Sequence, residues 1–339
     1  MLLKNYIVTD AKFWTGRVDD PNDLDSLRMH QIIQLLDLTE PKLMKFELSK
    51  FNICFIGFCC DEGIIRNLGR KGAKHGPEYI RKEFANLPVT FGNEVKIYDA
   101  GDIFCLGNNM EEAQEQLEIA IEIILDNKLF PIVLGGGHEL ALGHFNGIIN
   151  HLKNHTKNPG IGIINFDAHL DLRPYKNKGS SGTIFSQIAD NCFFEKREFA
   201  YMCLGVQTSA NTLSLLKKAD SLKVKYILAK DCVESNFANI STEINNFINQ
   251  NEYIYVTICS DVFNSAFAPG VSAMQPFGMN PEIVLKFIKE VLKSNKVVSI
   301  DIAEVSPRFD QDKRTAKLVA VIIYAIINTI IEAKQKIKE

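Results

Sequence analysis

The chain has 339 residues, 46% of them hydrophobic, and its 38 Lys and Arg against 41 Asp and Glu give a formal net charge of -3. That length can bury a substantial core, and without a basic tract to follow a phosphate backbone no nucleic-acid partner is expected. No membrane partner is expected either, because the N-terminus turns polar at Lys4 and the longest apolar run, 318–331, is broken by Asn328 and too short to span.

Residues 1–50 are polar and turn-rich up to Arg28-Met29-His30-Gln31 and predict an N-terminal arm. Beyond them, short runs of β-branched and aromatic residues predict strands at 51–58, 95–98, 130–134, 160–166, 200–206, 224–228, 253–259 and 296–302. Amphipathic segments predict helices at 77–87, 111–127, 139–154, 212–219, 242–250, 281–294 and 314–334. Strands that read as continuous apolar runs and alternate with helices imply an α/β fold, a mainly parallel sheet covered on both faces. No linker or repeat interrupts the alternation, so a single domain over 1–339 is expected, with 1–50 as the arm. The eight cysteines (54, 59, 60, 105, 192, 203, 232 and 259) lie mostly in apolar runs without CxxC pairs. Buried thiols in a reducing compartment fit that pattern better than a disulfide framework, and a cytoplasmic location follows as an expectation.

In such a sheet ligands gather at the carboxyl ends of the strands. The run Ile161 to Phe166 ends in Asp167-Ala168-His169-Leu170-Asp171. On extended backbone, alternate side chains share a face, so two carboxylates and an imidazole can meet at one spot. Two close carboxylates repel unless a proton or a cation neutralises them; the competing reading is a polar loop after a strand. Gly135-Gly136-Gly137-His138-Glu139 follows another strand and presents His138 at its end. That turn lacks the spacing and the Lys-Ser/Thr of a phosphate-cradling loop. His144 is six residues beyond His138, which excludes a zincin helix, and His144, His151 and His155 read as helix-surface or core histidines. Two more strands end in Cys259-Ser260-Asp261 and Asp301-Ile302-Ala303-Glu304. Two histidines and several carboxylates on one rim point to hard divalent cations, manganese or magnesium, with imidazole tilting towards manganese.

GGGHE, N-F-D-A-H-x-D and the late D-I-A-E closely resemble the binuclear manganese ureohydrolases of the arginase and agmatinase superfamily. Within it the likeness is greatest to the formimidoylglutamase branch. Supporting segments are Trp14-Thr15-Gly16-Arg17-Val18-Asp19, Arg66 to Ala73, Gly179-Ser180-Ser181-Gly182-Thr183, Cys203-Leu204-Gly205-Val206-Gln207 and Ala268-Pro269-Gly270-Val271-Ser272-Ala273. The resemblance implies a three-layer α/β/α arginase-like fold with a central eight-stranded sheet, in agreement with the strand count. It implies two Mn2+ per chain, one held by His138, Asp167 and Asp171 and the other by His169, Asp167 and Asp261, with Asp167 bridging. It also implies hydrolysis of a small-molecule substrate, N-formimidoyl-L-glutamate, to L-glutamate and formamide in histidine degradation. Water shared by two cations about 3.5–4 Å apart gives up a proton readily. Asp171 would relay the remaining proton to the leaving amine, and Glu304 would hold the cationic formimidoyl group.

Arg173 stands where arginases carry an asparagine, and its guanidinium fork suits a carboxylate and opposes cationic agmatine; the competing reading is a surface arginine paired with a nearby acid. Ser181 replaces a histidine that arginases and agmatinases place near the leaving group. Ser180 and Thr183 are expected as supporting hydrogen-bond donors. Cys259 takes the place of an aspartate that normally bridges the metals, and a thiol cannot span two ions through two oxygens. Two readings stay open, a working enzyme with an altered centre or a metal-poor binding protein on the same scaffold, as does a different guanidino substrate such as arginine or agmatine. Many ureohydrolases form trimers or hexamers, so a homo-oligomer is an expectation from the resemblance.

Overall fold

The computed structural model describes residues 3–40 and 51–336; residues 41–50 of the expected arm and both extreme termini lie outside the described residues. The strands are β1 (Tyr6–Ile7), β2 (Gln34–Leu35), β3 (Phe51–Cys59), β4 (Val95–Phe104), β5 (Phe130–Gly135), β6 (Ile161–Phe166), β7 (Ala200–Val206), β8 (Lys225–Leu228), β9 (Tyr253–Cys259) and β10 (Val297–Ala303). The helices are α1 (Met29–Ile32), α2 (Glu62–Arg66), α3 (Gly76–Ala85), α4 (Met110–Asp126), α5 (Leu140–Lys153), α6 (Ile184–Phe194), α7 (Leu213–Ser221), α8 (Phe237–Asn249), α9 (Pro281–Lys293) and α10 (Arg314–Lys336).

The ten strands among the described residues join one sheet in the order β1-β4-β3-β5-β10-β9-β6-β7-β8, with β2 also on β4. The eight expected strands are present and parallel to their neighbours. The count rises to ten because the arm adds two short strands to β4, β1 antiparallel at Tyr6↔Ile103 and β2 parallel at Gln34↔Tyr98. Side-chain alternation divides the core in two. Ile53, Phe55, Ile132, Leu134, Ile164 and Phe166 meet apolar residues of α3, α8, α9 and α10 on one face. Cys54, Ile56, Phe58, Val133, Ile161 and Ile163 meet those of α4, α5, α6 and α7 on the other. Strands buried on both faces explain why they read as unbroken apolar runs, and three layers result.

Two expectations change. Ile184–Phe194 had no assignment but forms α6, burying Ile184, Phe185, Ile188, Ala189 and Cys192 while Phe193 and Phe194 stay exposed and blur the pattern. The C-terminal helix α10 runs well past the apolar run at 318–331 and is long and apolar enough, by length and composition, to cross a membrane. In the fold 56% of its apolar window is buried, with Val319, Ile323, Ile326 and Ile327 in the same core cluster as α3 and α9.

The topology also fixes where a site can form. After β5 the chain moves to β6, three positions along, and returns later with β9 and β10 to fill the space between. The parallel strands β5, β10, β9 and β6 are therefore adjacent, and their carboxyl ends carry His138, Glu304, Asp261 and the Asp167–Asp171 segment. A crevice at such a change of direction is the usual ligand position in open α/β sheets.

Candidate metal centre

The strand β6 stops at Phe166, so the trio does not converge by strand alternation as expected. It converges because the following loop is pinned. Asp167 donates its N–H to Leu204 O at 2.9 Å, His169 N–H donates to Asp167 Oδ1 at 2.7 Å, and Leu170 N–H donates to Asn211 Oδ1 at 3.0 Å. Asp171 takes φ +49° and Glu304 φ +69°, left-handed conformations that cost energy for non-glycine residues and tend to collect at functional sites. At β5 the glycine turn crosses neighbouring backbone so closely that a Cβ on Gly136 would lie 2.1 Å from Cys60 O. Only glycine fits there, and the turn delivers His138 into the crevice with Phe185 edge-on to its ring at 5.7 Å.

His138 Nδ1 lies 3.0 Å from both Asp167 Oδ2 and Asp171 Oδ2. His169 Nδ1 lies 3.4 Å from Asp167 Oδ1 and 3.1 Å from Asp261 Oδ2. The two oxygens of Asp167 thus face different imidazoles, as a bridging carboxylate requires. Donor atoms of His138, Asp167 and Cys259 lie within 4.8 Å of one another, and so do those of Asp167, His169 and Asp261.

Thr257 shows what sits between these groups. Its hydroxyl donates to Asp301 Oδ1 at 2.6 Å and therefore accepts from His138 Nε2 at 2.9 Å. With the ring proton on Nε2, the Nδ1 lone pair points at two carboxylate oxygens, an arrangement that needs a proton or a metal cation between them. Burial raises the carboxyls of Asp171, Asp261 and Glu304 above their usual range. Burial also opposes charge on His138, His169 and Asp167, but their mutual contacts outweigh it, holding the histidines above the ordinary imidazole range and Asp167 below that of a carboxylate. Asp261 Oδ1 is buried with no hydrogen-bond partner. Two imidazoles, shared and unshared carboxylates and an unsatisfied oxygen fit a pair of neighbouring divalent cations.

A family model described as the arginase family matches residues 51–328. The chain belongs to the arginase family. A formimidoylglutamase of Clostridium tetani is 52% identical over 331 residues, covering 97% of this chain and 98% of that one. Among solved structures, the formimidoylglutamase of Bacillus subtilis matches with a TM-score of 0.76 at 20% identity, over 94% of this chain and 96% of its own. The formiminoglutamase of Trypanosoma cruzi with Mn2+ matches at 0.71 and 24% identity, over 82% and 93%. At those identities the two structures establish the shared fold.

In this member of the arginase family a cavity of about 300 Å³ opens above the cluster. His138, His169, Asp171, Cys259, Asp261 and Glu304 form its floor, and Arg173 and Ser181 line it together with Asn67, Arg70, Asn211 and Ser272. Glu304 Oε1 accepts the His138 backbone N–H at 3.1 Å. The Arg173 side chain has no ion pair or hydrogen bond among the described residues, which disfavours the paired surface arginine. Ser180 and Thr183 instead line an adjoining hollow. The Thr183 hydroxyl accepts from Ser180 N at 2.8 Å and from Gln187 Nε2 at 3.0 Å, and it donates to Ser180 O at 3.0 Å. Its bonding capacity serves the turn, so the expectation of donors aimed at the substrate is corrected for this hydroxyl.

Thr257 and Asn211 were not picked out from sequence, and Asn67 and Arg70 stood only in a segment supporting the resemblance, not as site residues. Thr257 carried a signal: it lies two residues before Cys259 on the same face of β9, a hydroxyl inside an apolar strand. Asp301 was noted only as an acid near a strand end. It is fully buried, and besides Thr257 it accepts from the Tyr255 hydroxyl and from His144 Nδ1 at 2.6 Å. His144 is a core histidine, as expected, serving this network.

Proposed function

We propose that this chain hydrolyses N-formimidoyl-L-glutamate to L-glutamate and formamide, with two Mn2+ at the centre built around Asp167, as a step of histidine degradation in the cytoplasm. The observation that carries the reading is the shared Asp167 beneath a cavity whose wall presents an unpaired Arg173. Held by His138, Asp167, Asp171, Cys259, His169 and Asp261, the ions would polarise the amidine and bring the pKa of water towards neutrality.

The protein's own groups account for the rest. Glu304, whose carboxylate is destabilised by burial, gains a counter-ion when the cationic formimidoyl group enters, so substrate charge restores its ionised form. Asp171, whose Oδ2 lies 3.0 Å from His138 Nδ1, would accept the proton of the attacking water and pass it to the amine of the departing glutamate. Arg173 offers a planar fork to a substrate carboxylate and repels a cationic tail. Ser181 lines the cavity and has no second ionisation to contribute, so the proton route runs through Asp171. The eight unbridged thiols support the cytoplasmic location.

Parallel assays of the Mn2+-loaded protein for formamide from formimidoylglutamate and for urea from arginine and agmatine test the reading. Formamide with little urea is expected; urea from arginine without formamide would reject it.

A further inference from the structure

The two donor groups around Asp167 differ in chemistry. Asp167, His169 and Asp261 offer nitrogen and oxygen only, whereas His138, Asp167 and Cys259 offer nitrogen, oxygen and sulfur, all three residues buried. We propose that Cys259 ligates the cation on the His138 side through Sγ, so that this position favours a borderline cation such as Co2+ or Zn2+ over Mn2+ by a wider margin than the His169 side does. The inference rests on the proposed pair of cations but not on the identity of the substrate.

Donors that share one ion through bonds of about 2.0–2.3 Å stand up to roughly 4.6 Å apart, and the three donor atoms lie within 4.8 Å of one another before any ion draws them together. A carboxylate at this position would reach two ions through separate oxygens; the thiol reaches through one atom, and it groups with His138 rather than His169. The loss of a second bridge therefore falls unequally on the two positions. Thiolate donors favour softer ions, and Mn2+ binds most weakly in the first-row order, so the two positions diverge in preference. On binding, the S–H bond breaks, an S–metal bond forms and the proton leaves through the cavity that Cys259 lines.

Cys203 supplies the internal comparison. It is also buried beside the centre, but its Sγ faces backbone oxygens of Asp167 at 3.8 Å and His169 at 3.5 Å. That thiol is a packing group, and replacing it should not alter the metal spectrum.

The test is titration of metal-free protein with Co2+, following the near-ultraviolet sulfur-to-cobalt charge-transfer band alongside calorimetric stoichiometry. Wild type is expected to develop the band with the first equivalent, Cys203→Ser to retain it, and Cys259→Ser to lose it. Cys259→Asp, which restores an oxygen donor, gives the same comparison if the serine variant fails to fold: it should bind Co2+ without the band. When Co2+ is added to Mn2+-loaded protein, the first equivalent retained should be the one that carries the band. Two Co2+ bound without a band in wild type, or a band that survives in either Cys259 variant, overturns the proposal. A band with no formamide production would reject the substrate reading and leave sulfur ligation standing; formamide production without the band would do the reverse.

Discussion

The hydroxyl of Thr257 accepts a hydrogen bond from His138 Nε2 at 2.9 Å and donates its own to Asp301 Oδ1 at 2.6 Å, so the histidine's free lone pair is set by a residue that never enters the cavity. Partners of this kind commonly alter metal affinity or activity by about 10–100-fold when removed. Thr257→Val, which keeps the branched shape, is expected to weaken metal binding within that range, while Thr257→Ser stays near wild type. Calorimetric Mn2+ titration of both variants checks it. Equal losses in the two would mean that the methyl group's packing matters and the hydrogen bond does not.

Arg173, which lines the cavity, is the proposed specificity group. A hydrogen bond to a charged partner contributes about 1.5–3 kcal/mol, so Arg173→Gln should lower kcat/KM for formimidoylglutamate by about 10- to 150-fold. The loss should fall mainly on KM, because a carboxylate remote from the reacting carbon is held equally in ground and transition states. Arg173→Lys keeps the charge without the fork and should recover only part of it. Initial rates of formamide release across substrate concentration separate the two parameters, and an unchanged KM in Arg173→Gln would remove Arg173 from the site.

The inner strands β3, β5, β6, β7 and β9 were legible because they are covered on both faces and are almost wholly apolar, whereas β4 carries Lys96, Asp99 and Asp102 and the edge strand β8 begins at exposed Lys225. The strands β1 and β2 were not, since two residues at a sheet edge carry no period. His138, Asp167, His169, Asp171, Asp261 and Glu304 stood out as charged groups following apolar runs, and all converge. The means of convergence was hidden: Asp171 reaches its place through a positive φ and a pinned loop, neither of which local composition announces. Thr257 was hidden for the opposite reason, being an ordinary strand former whose hydroxyl acquires a role only when β10 brings Asp301 alongside. At Gly179 to Thr183 the same residues suit a turn or a ligand cradle, and only the bonds made by Thr183 decide between them.

Metal uptake should release protons. The carboxylates around His138 and His169 outweigh the burial that opposes their charge, so both imidazoles hold protons above the ordinary range in the metal-free protein. A cation must displace those protons, so affinity rises with pH until the raised folded-state values are passed, then levels. Near pH 7 a release of about three protons per chain is expected on filling both positions, two from the imidazoles and one from the Cys259 thiol, which burial keeps protonated. Calorimetry in buffers of different ionisation enthalpy counts them, and an affinity independent of pH from 6 to 8 would contradict the assignment.

The N-terminal arm is fastened by a buried charge cluster rather than by its short strands alone. Arg81 is fully buried and grips Asp99 through Nε at 2.8 Å and Nη2 at 2.9 Å, and Asp102 through Nη1 at 2.6 Å. Trp14 and Thr9 of the arm complete the shell of Asp99, through Nε1 at 2.6 Å and Oγ1 at 2.9 Å, while the Trp14 ring stacks on Phe55 at 6.2 Å. Trp14→Phe preserves most of the stacking but leaves a buried carboxylate short of a donor, at a cost of about 1–3 kcal/mol. Arg81→Met leaves two buried carboxylates without their cation and should cost more, about 3–5 kcal/mol. Urea denaturation of the metal-free protein checks the order, with a lower midpoint and an unchanged slope expected for Trp14→Phe. If Trp14→Phe matched wild type while Trp14→Ala was strongly destabilised, ring packing alone would hold the arm and the bond to Asp99 would be incidental.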